Sequence, residues 1–333
     1  MPNLSNLYFA LLALPVSALA VWLFSRGRAA RLALDHPNVR SLHTTPVPRT
    51  GGLGMIVGIA ASWFAAGVHL PFPLSVGAGL LALLSFADDR HNLPTSLRFL
   101  AHAAAATWLV TALGANWSTW LWPLAVLFIV WMTNLYNFMD GSDGLAGGMA
   151  LIGFGTYALA ALLQGHPDLA LAGGVIGLAA LGFLLFNFPP AKVFMGDAGS
   201  IPLGFLAAGL GLLGMVRGSW PGWFPLVVFA PFVLDASVTL VRRGLRGEKV
   251  WHAHKEHYYQ RLIRMGWSHR KTALAEYAVM SGGSSIALLG LIVPASMAMG
   301  IAALWGAVLI VLMRLVDKRW REFQVNHATH PPD

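Results

Sequence analysis

The chain has 333 residues, of which 56% are hydrophobic and 11% charged, with 36 Gly, 13 Trp and no Cys. Soluble domains carry about 25% charged residues, so this inventory cannot cover a water-facing surface and describes a polytopic membrane protein. Disorder, a coiled coil and a disulfide scaffold are excluded, and thiolate chemistry is removed; the formal charge of +8 becomes a question of membrane sidedness. A helix needs about 20 apolar residues to cross a hydrocarbon core of about 30 Å. In chain order the sequence predicts eleven such segments, at 4–24, 52–69, 71–86, 98–113, 119–137, 144–163, 168–186, 200–216, 222–241, 274–292 and 297–315. Basic residues follow the first segment (Arg26, Arg28, Arg31) and none precedes it, so it reads as a retained helix with its N-terminus outside.

Alternating sides then place 25–51, 87–97, 138–143, 187–199, 242–273 and the C-terminus in the cytoplasm. With helix-end residues counted in the nearer loop, 21 of the 22 Lys and Arg fall there, Arg217 being the exception. Trp117, Trp120, Trp122, Trp220 and Trp223 gather at the opposite face, as an interfacial belt does. The expected architecture is all-α: one transmembrane domain over 1–316, followed by a polar, mobile cytoplasmic tail over 317–333. Gly204, Ala208, Gly209 and Gly211 are read as small residues that let helices approach closely.

The ten Asp are not scattered. Asp88 and Asp89 end the third segment, Asp140 and Asp143 follow the fifth, Asp197 opens the eighth, and Asp235 lies about two turns from the end of the ninth. All six fall on the cytoplasmic side, and ionisable groups at membrane depth point to function. Asp143 and Asp197 also suit helix N-caps, and Asp235 suits a pairing with Arg242 or Arg243. Asp88 and Asp89 have no such reading, because the dipole at a helix C-terminus disfavours anions. Carboxylates converging on one face repel unless a cation is present, and Mg²⁺ takes one or two carboxylates together with substrate phosphates.

Basic groups supply the other half. The first loop, Pro- and Gly-dense, offers Arg40 and Arg49 as phosphate clamps. The loop after the ninth segment carries His252, His254 and His257 among Arg and Lys. A basic juxtamembrane face explains the Arg and Lys but not the His spacing, and zinc is disfavoured without Cys. Composition and spacing thus reach phosphoryl groups, Mg²⁺ and a membrane-borne substrate.

Four segments then resemble one family in order. Phe86-Ala87-Asp88-Asp89-Arg90-His91-Asn92 is similar to its DDxxN motif, and Asn134 to Gly144 to its NxxNxxDGxDG segment. Phe194-Met195-Gly196-Asp197-Ala198-Gly199-Ser200 resembles FxGDxGS, and Asp35 to His43 resembles D-x-PN-x-RS-x-H. The family is the polyprenyl-phosphate N-acetylhexosamine-1-phosphate transferase superfamily, glycosyltransferase family 4. Thr50 stands where many members have Gly. The segment His254 to Arg261 lacks the adjacent His pair of many members and is nearer the variant of O-antigen-initiating enzymes for N-acetylfucosamine or N-acetylquinovosamine.

The resemblance implies transfer of a sugar 1-phosphate from a UDP-N-acetylaminosugar to undecaprenyl phosphate, with release of UMP. The setting it implies is the cytoplasmic face of a bacterial inner membrane, serving cell-envelope glycan synthesis, with no nucleic acid involved and dimerisation as a family trait. It implies Mg²⁺, with Mn²⁺ as a substitute, at Asp197 and Asp88. Asp88, Asp89, Asp197, His254 and His257 are the catalytic set. Asn137, Asp140, Asp143 and Asn187 would hold the nucleotide with Lys192 nearby, and Phe194 would stack on uracil. His252, His254, His257 and Arg261 would grip the diphosphate, beside Arg40 and Arg49. A UbiA-like prenyltransferase would need two NxxxDxxxD-type motifs, which are absent, and a transporter would place its site at mid-membrane rather than at one interface.

Overall fold

The computed structural model describes residues 4–31, 33–35, 46–114, 117–250, 252 and 254–329, and these are almost wholly helical. The first predicted segment forms as α1 (Leu4–Leu11) and α2 (Ala13–Phe24). Pro15 has no N–H to offer the Leu11 carbonyl, so the helix breaks there. A turn, α3 (Gly27–Ala30), leads to a two-residue antiparallel pair, β1 (Leu34–Asp35) on β2 (Val47–Pro48), which pattern reading did not foresee.

Next come α4 (Gly51–Ala65), α5 (Phe72–His91), α6 (Thr95–Leu113), α7 (Leu121–Phe138), α8 (Leu145–Leu163), α9 (Pro167–Asn187) and α10 (Asp197–Val216). The ninth predicted segment divides at Phe229 into α11 (Trp223–Val228) and α12 (Ala230–Leu245). Pro231 withholds the donor that the Val227 carbonyl would need. A short α13 (Tyr258–Arg264) lies in the basic loop, followed by α14 (His269–Gly290) and α15 (Ala295–Thr329). Seven helices among the described residues, α5 to α10 and α15, are long and apolar enough to cross a membrane, while Tyr8–Phe24 and Gly51–Ala65 are shorter apolar helices. The architecture is that of an all-α polytopic membrane protein.

At the centre stands α10, buried at every position from Ala198 to Gly214. Gly204 permits its approach to α7, since a Cβ there would lie 2.5 Å from the Met132 carbonyl oxygen. This supports the small-residue reading. A second tight group joins α2, α4, α8 and α9; the Ser17 hydroxyl donates to the Ala179 carbonyl at 2.8 Å, and a Cβ on Gly182 would meet the Leu14 carbonyl oxygen at 2.5 Å. By contrast α15 is peripheral, with 6% of its apolar window buried inside the protein.

The expected mobile tail needs correction. Residues 317–329 continue α15 as helix, and Asp317 and Trp320 pack back onto α13. Ion pairs and an aromatic anchor supply the order that polarity alone did not suggest.

Candidate active site

Three chain segments meet at one end of the bundle. Residues 48–52 lie along 194–197: Phe194 N–H donates to the Pro48 carbonyl (2.8 Å), Gly51 N–H to that of Phe194 (3.0 Å) and Gly52 N–H to that of Met195 (2.9 Å). Only glycine permits this approach, because a Cβ on Gly52 would sit 2.5 Å from Gly199 Cα. Gly196 has φ +69, and a Cβ there would lie 2.7 Å from the Arg49 carbonyl oxygen. The ladder carries Arg49 to the N-terminus of α10. Thr50 donates its hydroxyl to the Phe24 carbonyl at 2.8 Å, closing the end of α2, which accounts for a hydroxyl residue at that place.

Asp197 is the first residue of α10, and the side chain of Asn137, at the end of α7, hydrogen-bonds its carboxylate. Ser200 Oγ donates to Asn137 Oδ1 at 2.7 Å, leaving the amide nitrogen as the end that faces Asp197. Asp140, two residues past α7, accepts the Gly196 N–H, with Asp197, Arg49 and Asp89 as its charged neighbours. Burial foremost, then the Asp197 charge, push the Asp140 carboxyl well above the usual range; Arg49 and the Gly196 N–H pull the other way.

The two adjacent carboxylates are not equivalent. Asp88 is engaged at both oxygens, accepting the Leu93 N–H at 2.7 Å and Arg98 Nη1 at 2.8 Å. Asn92 makes that possible by ending α5 in the left-handed region, φ 49, where Asn is the best tolerated non-Gly residue. Asp88 and Asn92 therefore build the α5–α6 turn. Asp89 Oδ1 lies 3.9 Å from Arg49 Nη1, and its Oδ2 is buried without a hydrogen-bond partner. Asp88 was expected to ligate the metal together with Asp197; here both of its oxygens are engaged, and the open carboxylate oxygen belongs to Asp89.

Beneath the acids lies a brace. Asn187, 4% exposed, accepts the Gly144 N–H through Oδ1 and donates to the Val193 carbonyl through Nδ2, both at 2.9 Å. Asp143 accepts the Ala191 N–H at 3.0 Å and lies 3.5 Å from His269 Nδ1. These side chains, expected at the nucleotide, tie the 138–144 and 188–193 loops together. His269, at the start of α14, also meets Ser142 Oγ at 3.1 Å; as a lone His it gave no signal in the sequence.

The third segment is the His loop. Asp235 on α12 accepts from Tyr258 N–H (2.9 Å), Tyr259 N–H (3.2 Å) and Thr239 Oγ1 (3.2 Å), and its Oδ1 lies 3.1 Å from His257 Nδ1. The His257 ring stacks on Phe138 at 6.3 Å, and Tyr259 donates its hydroxyl to the Phe138 carbonyl at 3.1 Å, so α13 lies against the segment carrying Asp140. His254 lies 4.7 Å from His257, ring to ring; burial first, then His257 and Arg243, push its pKa down to about 4. It is neutral at pH 7.

Of the remaining expected residues, Phe194 is half-buried on the ladder, and Lys192 and His252 are exposed at the rim. Arg261 departs from its expected grip on a diphosphate. Its Nη1 pairs with Asp317 Oδ1 at 2.9 Å, its side chain is 7% exposed, and its guanidinium lies over Tyr258. Asp317 also binds Arg242 Nη1 at 2.8 Å, which settles the partner of Arg242 in favour of the tail rather than Asp235. Arg40 lies outside the described residues. Among those described, no three His, Cys, Asp or Glu side chains could enclose a metal ion by themselves. Mg²⁺ does not require three, since it keeps waters and takes substrate phosphates. The oxygen donors of Asp197 and the unpartnered Asp89 Oδ2 fit that demand.

The model for glycosyl transferase family 4 matches residues 72–215, the stretch from α5 to the end of α10. A probable undecaprenyl-phosphate N-acetylglucosaminyl 1-phosphate transferase of Bacillus subtilis is 33% identical over 265 residues, 74% of each chain. A decaprenyl-phosphate N-acetylglucosaminephosphotransferase of Mycobacterium tuberculosis is 34% identical over 307 residues, 76% of this chain and 74% of its own. A phospho-N-acetylmuramoyl-pentapeptide-transferase of Geobacillus thermodenitrificans is 31% identical over 280 residues, covering 73% and 82%. The chain belongs to glycosyl transferase family 4, the superfamily of polyprenyl-phosphate N-acetylhexosamine-1-phosphate transferases, and is a phosphoglycosyltransferase.

Proposed function

We propose that the enzyme transfers an N-acetylaminosugar 1-phosphate from a UDP-sugar to undecaprenyl phosphate, releases UMP, depends on Mg²⁺, and thereby initiates an O-antigen or other envelope glycan. The observation that carries this reading is the convergence of Asp89, Asp140 and Asp197 with Arg49 at the junction of the three loops. Acids and a clamp of this kind suit two phosphate-bearing substrates that repel each other. Undecaprenyl phosphate lies in the bilayer, and the eleven-span scheme with an outside N-terminus and a cytoplasmic site accounts for the sidedness of Lys and Arg.

In the reaction, an oxygen of the lipid phosphate attacks the β-phosphorus of the UDP-sugar. A P–O bond forms there, the bond from that phosphorus to the bridging oxygen breaks, and the oxygen leaves with UMP. A phosphate monoester with a second pKa near 6 is mostly dianionic at pH 7, so the nucleophile needs little activation. Bound at Asp197 and Asp89, Mg²⁺ would supply charge neutralisation for the phosphates and for the transferring group. Arg49 clamps phosphate beside Asp89. The neutral His254, with His257, addresses phosphate oxygens from the opposite side. Asn137 holds the Asp197 carboxylate in place, and the N-terminus of α10 adds a favourable dipole. Phe194 offers its ring to the uracil, with Asn187 and Asp143 setting the loops around it.

The test is UMP release by protein in lipid nanodiscs, with undecaprenyl phosphate and Mg²⁺, across UDP-N-acetylglucosamine, -fucosamine and -quinovosamine. Release is expected to require both the lipid phosphate and the metal, and to fall at least about 100-fold in Asp197→Asn. Wild-type rates in that variant would remove the metal assignment. A preference for the deoxy sugars would follow from the His254 to Arg261 variant, and strict use of UDP-N-acetylglucosamine would refute that part.

A further inference from the structure

We propose that Asp235 is a positioning residue for the reaction, holding the proton of His257 on Nδ1 so that Nε2 is the nitrogen presented to substrate phosphate. The proposal rests on the function proposed above and adds to it a residue outside the four motif segments.

Asp235 lies on α12, 5% exposed, and four groups converge on it. Two of them, Tyr258 N–H and Tyr259 N–H, are the first amides of α13, which have no partner inside their own helix. A carboxylate from another helix thus serves as their cap. The other two are Thr239 Oγ1 and His257 Nδ1. Oδ1 already takes the Tyr258 amide and the Thr239 hydroxyl as an acceptor, and on the proposal it takes the 3.1 Å contact in the same way, with the hydrogen on Nδ1. Nε2 is then left to accept a proton from the monoanionic fraction of a phosphate monoester, or to donate one once it holds it. In that step the phosphate O–H bond breaks, an Nε2–H bond forms, and the imidazolium returns the proton to water or to the departing UMP.

The rings around His257 restrain it without choosing its tautomer, and the Gln260 N–H of the α13 capping box is a rival donor toward the same side chain, so the carboxylate must outweigh it. Tyr259 stacks at 5.9 Å with a 10° tilt, Phe138 at 6.3 Å, and His254 approaches to 4.7 Å. Capping alone would be met by any acceptor, including the Oδ1 of Asn. Fixing the imidazole tautomer demands the carboxylate, because an Asn can turn its amide N–H toward Nδ1 and drive the hydrogen to Nε2.

The experiment uses the full-length chain in nanodiscs with ¹⁵N-labelled histidine, the His257 signals being identified by their loss in His257→Asn. The wild type is expected to show the Nδ1–H pattern, and Asp235→Asn to lose it. The kcat for UMP release should fall at least about 100-fold in Asp235→Asn, with KM for the UDP-sugar within threefold. Asp235→Glu, which keeps the carboxylate, should retain the Nδ1–H pattern and recover part of kcat. An Nε2–H pattern in the wild type overturns the proposal whether or not the variants fold. So does an Asp235→Asn enzyme that keeps kcat within threefold. If the wild type releases no UMP from any UDP-sugar, the proposed function fails, while the tautomer result stands or falls separately.

Discussion

Replacing Asn187 by Ala separates a brace from a nucleotide contact. The amide is 4% exposed and bonds the Gly144 N–H and the Val193 carbonyl, each at 2.9 Å. Truncation strands one backbone donor and one acceptor, and a buried group left unsatisfied costs about 1–3 kcal/mol. Some relaxation of the 188–193 loop offsets the sum, so about 3 kcal/mol is expected. For a chain of this size that lowers the thermal midpoint by about 4 °C. Unfolding followed by tryptophan fluorescence in detergent reads the loss directly, and kcat and KM measured well below the midpoint read the site. The expected pattern is a lower midpoint with a modest fall in kcat. A variant that melts with the wild type and changes only KM for the UDP-sugar would show that Asn187 touches the nucleotide, and the brace argument would fail.

Three further outcomes follow from the same geometry. Gly52→Ala would set a Cβ 2.5 Å from Gly199 Cα and from the Met195 carbonyl oxygen, so it should destabilise by at least about 2 kcal/mol and lower kcat by parting Arg49 from α10; unchanged melting would contradict the backbone approach. Asp88→Asn should lower the melting midpoint, because Arg98 loses its ionic partner, whereas Asp89→Asn should leave melting intact and cut kcat about 100-fold; the reverse assignment would return the reactive role to Asp88. His254, held down to about 4, is destabilising in acid: between the ordinary 6.5 and about 4 the unfolded chain takes up a proton that the folded chain refuses, so stability falls as pH drops through that window. His254→Gln should flatten the decline in melting midpoint from pH 7 to pH 5, and parallel declines in the two proteins would remove the assignment.

What could be read from the sequence was what local spacing dictates. Asp88 and Asn92, Asn137 and Asp140, and Gly196 and Asp197 sit within one turn or loop of each other, so their spacing is itself the geometry. The sidedness of Lys and Arg ordered the loops in the same way. Contacts that close over long stretches of chain were invisible. Arg261 looked like a phosphate grip because its partner, Asp317, lies 56 positions on, in a segment whose polarity suggested mobility. Asp235 was seen as an acid near Arg242, while its real partners are the imidazole and two amides 22 to 24 positions away. Asp88 and Asp89 are adjacent in sequence and differ only in which one Arg98 and the Leu93 amide reach. Hydropathy marked 222–241 as one helix, and Pro231 divides it.

The arrangement of charge supports a divalent cation at the centre of the site. Arg98 answers Asp88, and Arg49 is divided between Asp35 at 3.5 Å and Asp89 at 3.9 Å. Asp140 and Asp197 are held instead by neutral donors, the Gly196 amide and Asn137, and the ion pairs among the described residues leave both out. Neutral donors orient a carboxylate without cancelling its charge. With Asp89 Oδ2 also unpartnered, the acids have no counter-ion for their ionised form, which is why the Asp140 carboxyl is pushed up, and a diphosphate entering beside the ionised acids alone would be repelled. The basic groups stand at the edges, Arg49 on the α10 side and His257 with His254 on the α13 side. A metal at the acids would turn the repulsive centre into the point of attachment, and the edges would then meet the outer phosphate oxygens. Asp235 is buried behind His257, separate from that centre, which lets it hold the imidazole without adding to the negative charge the substrates must approach.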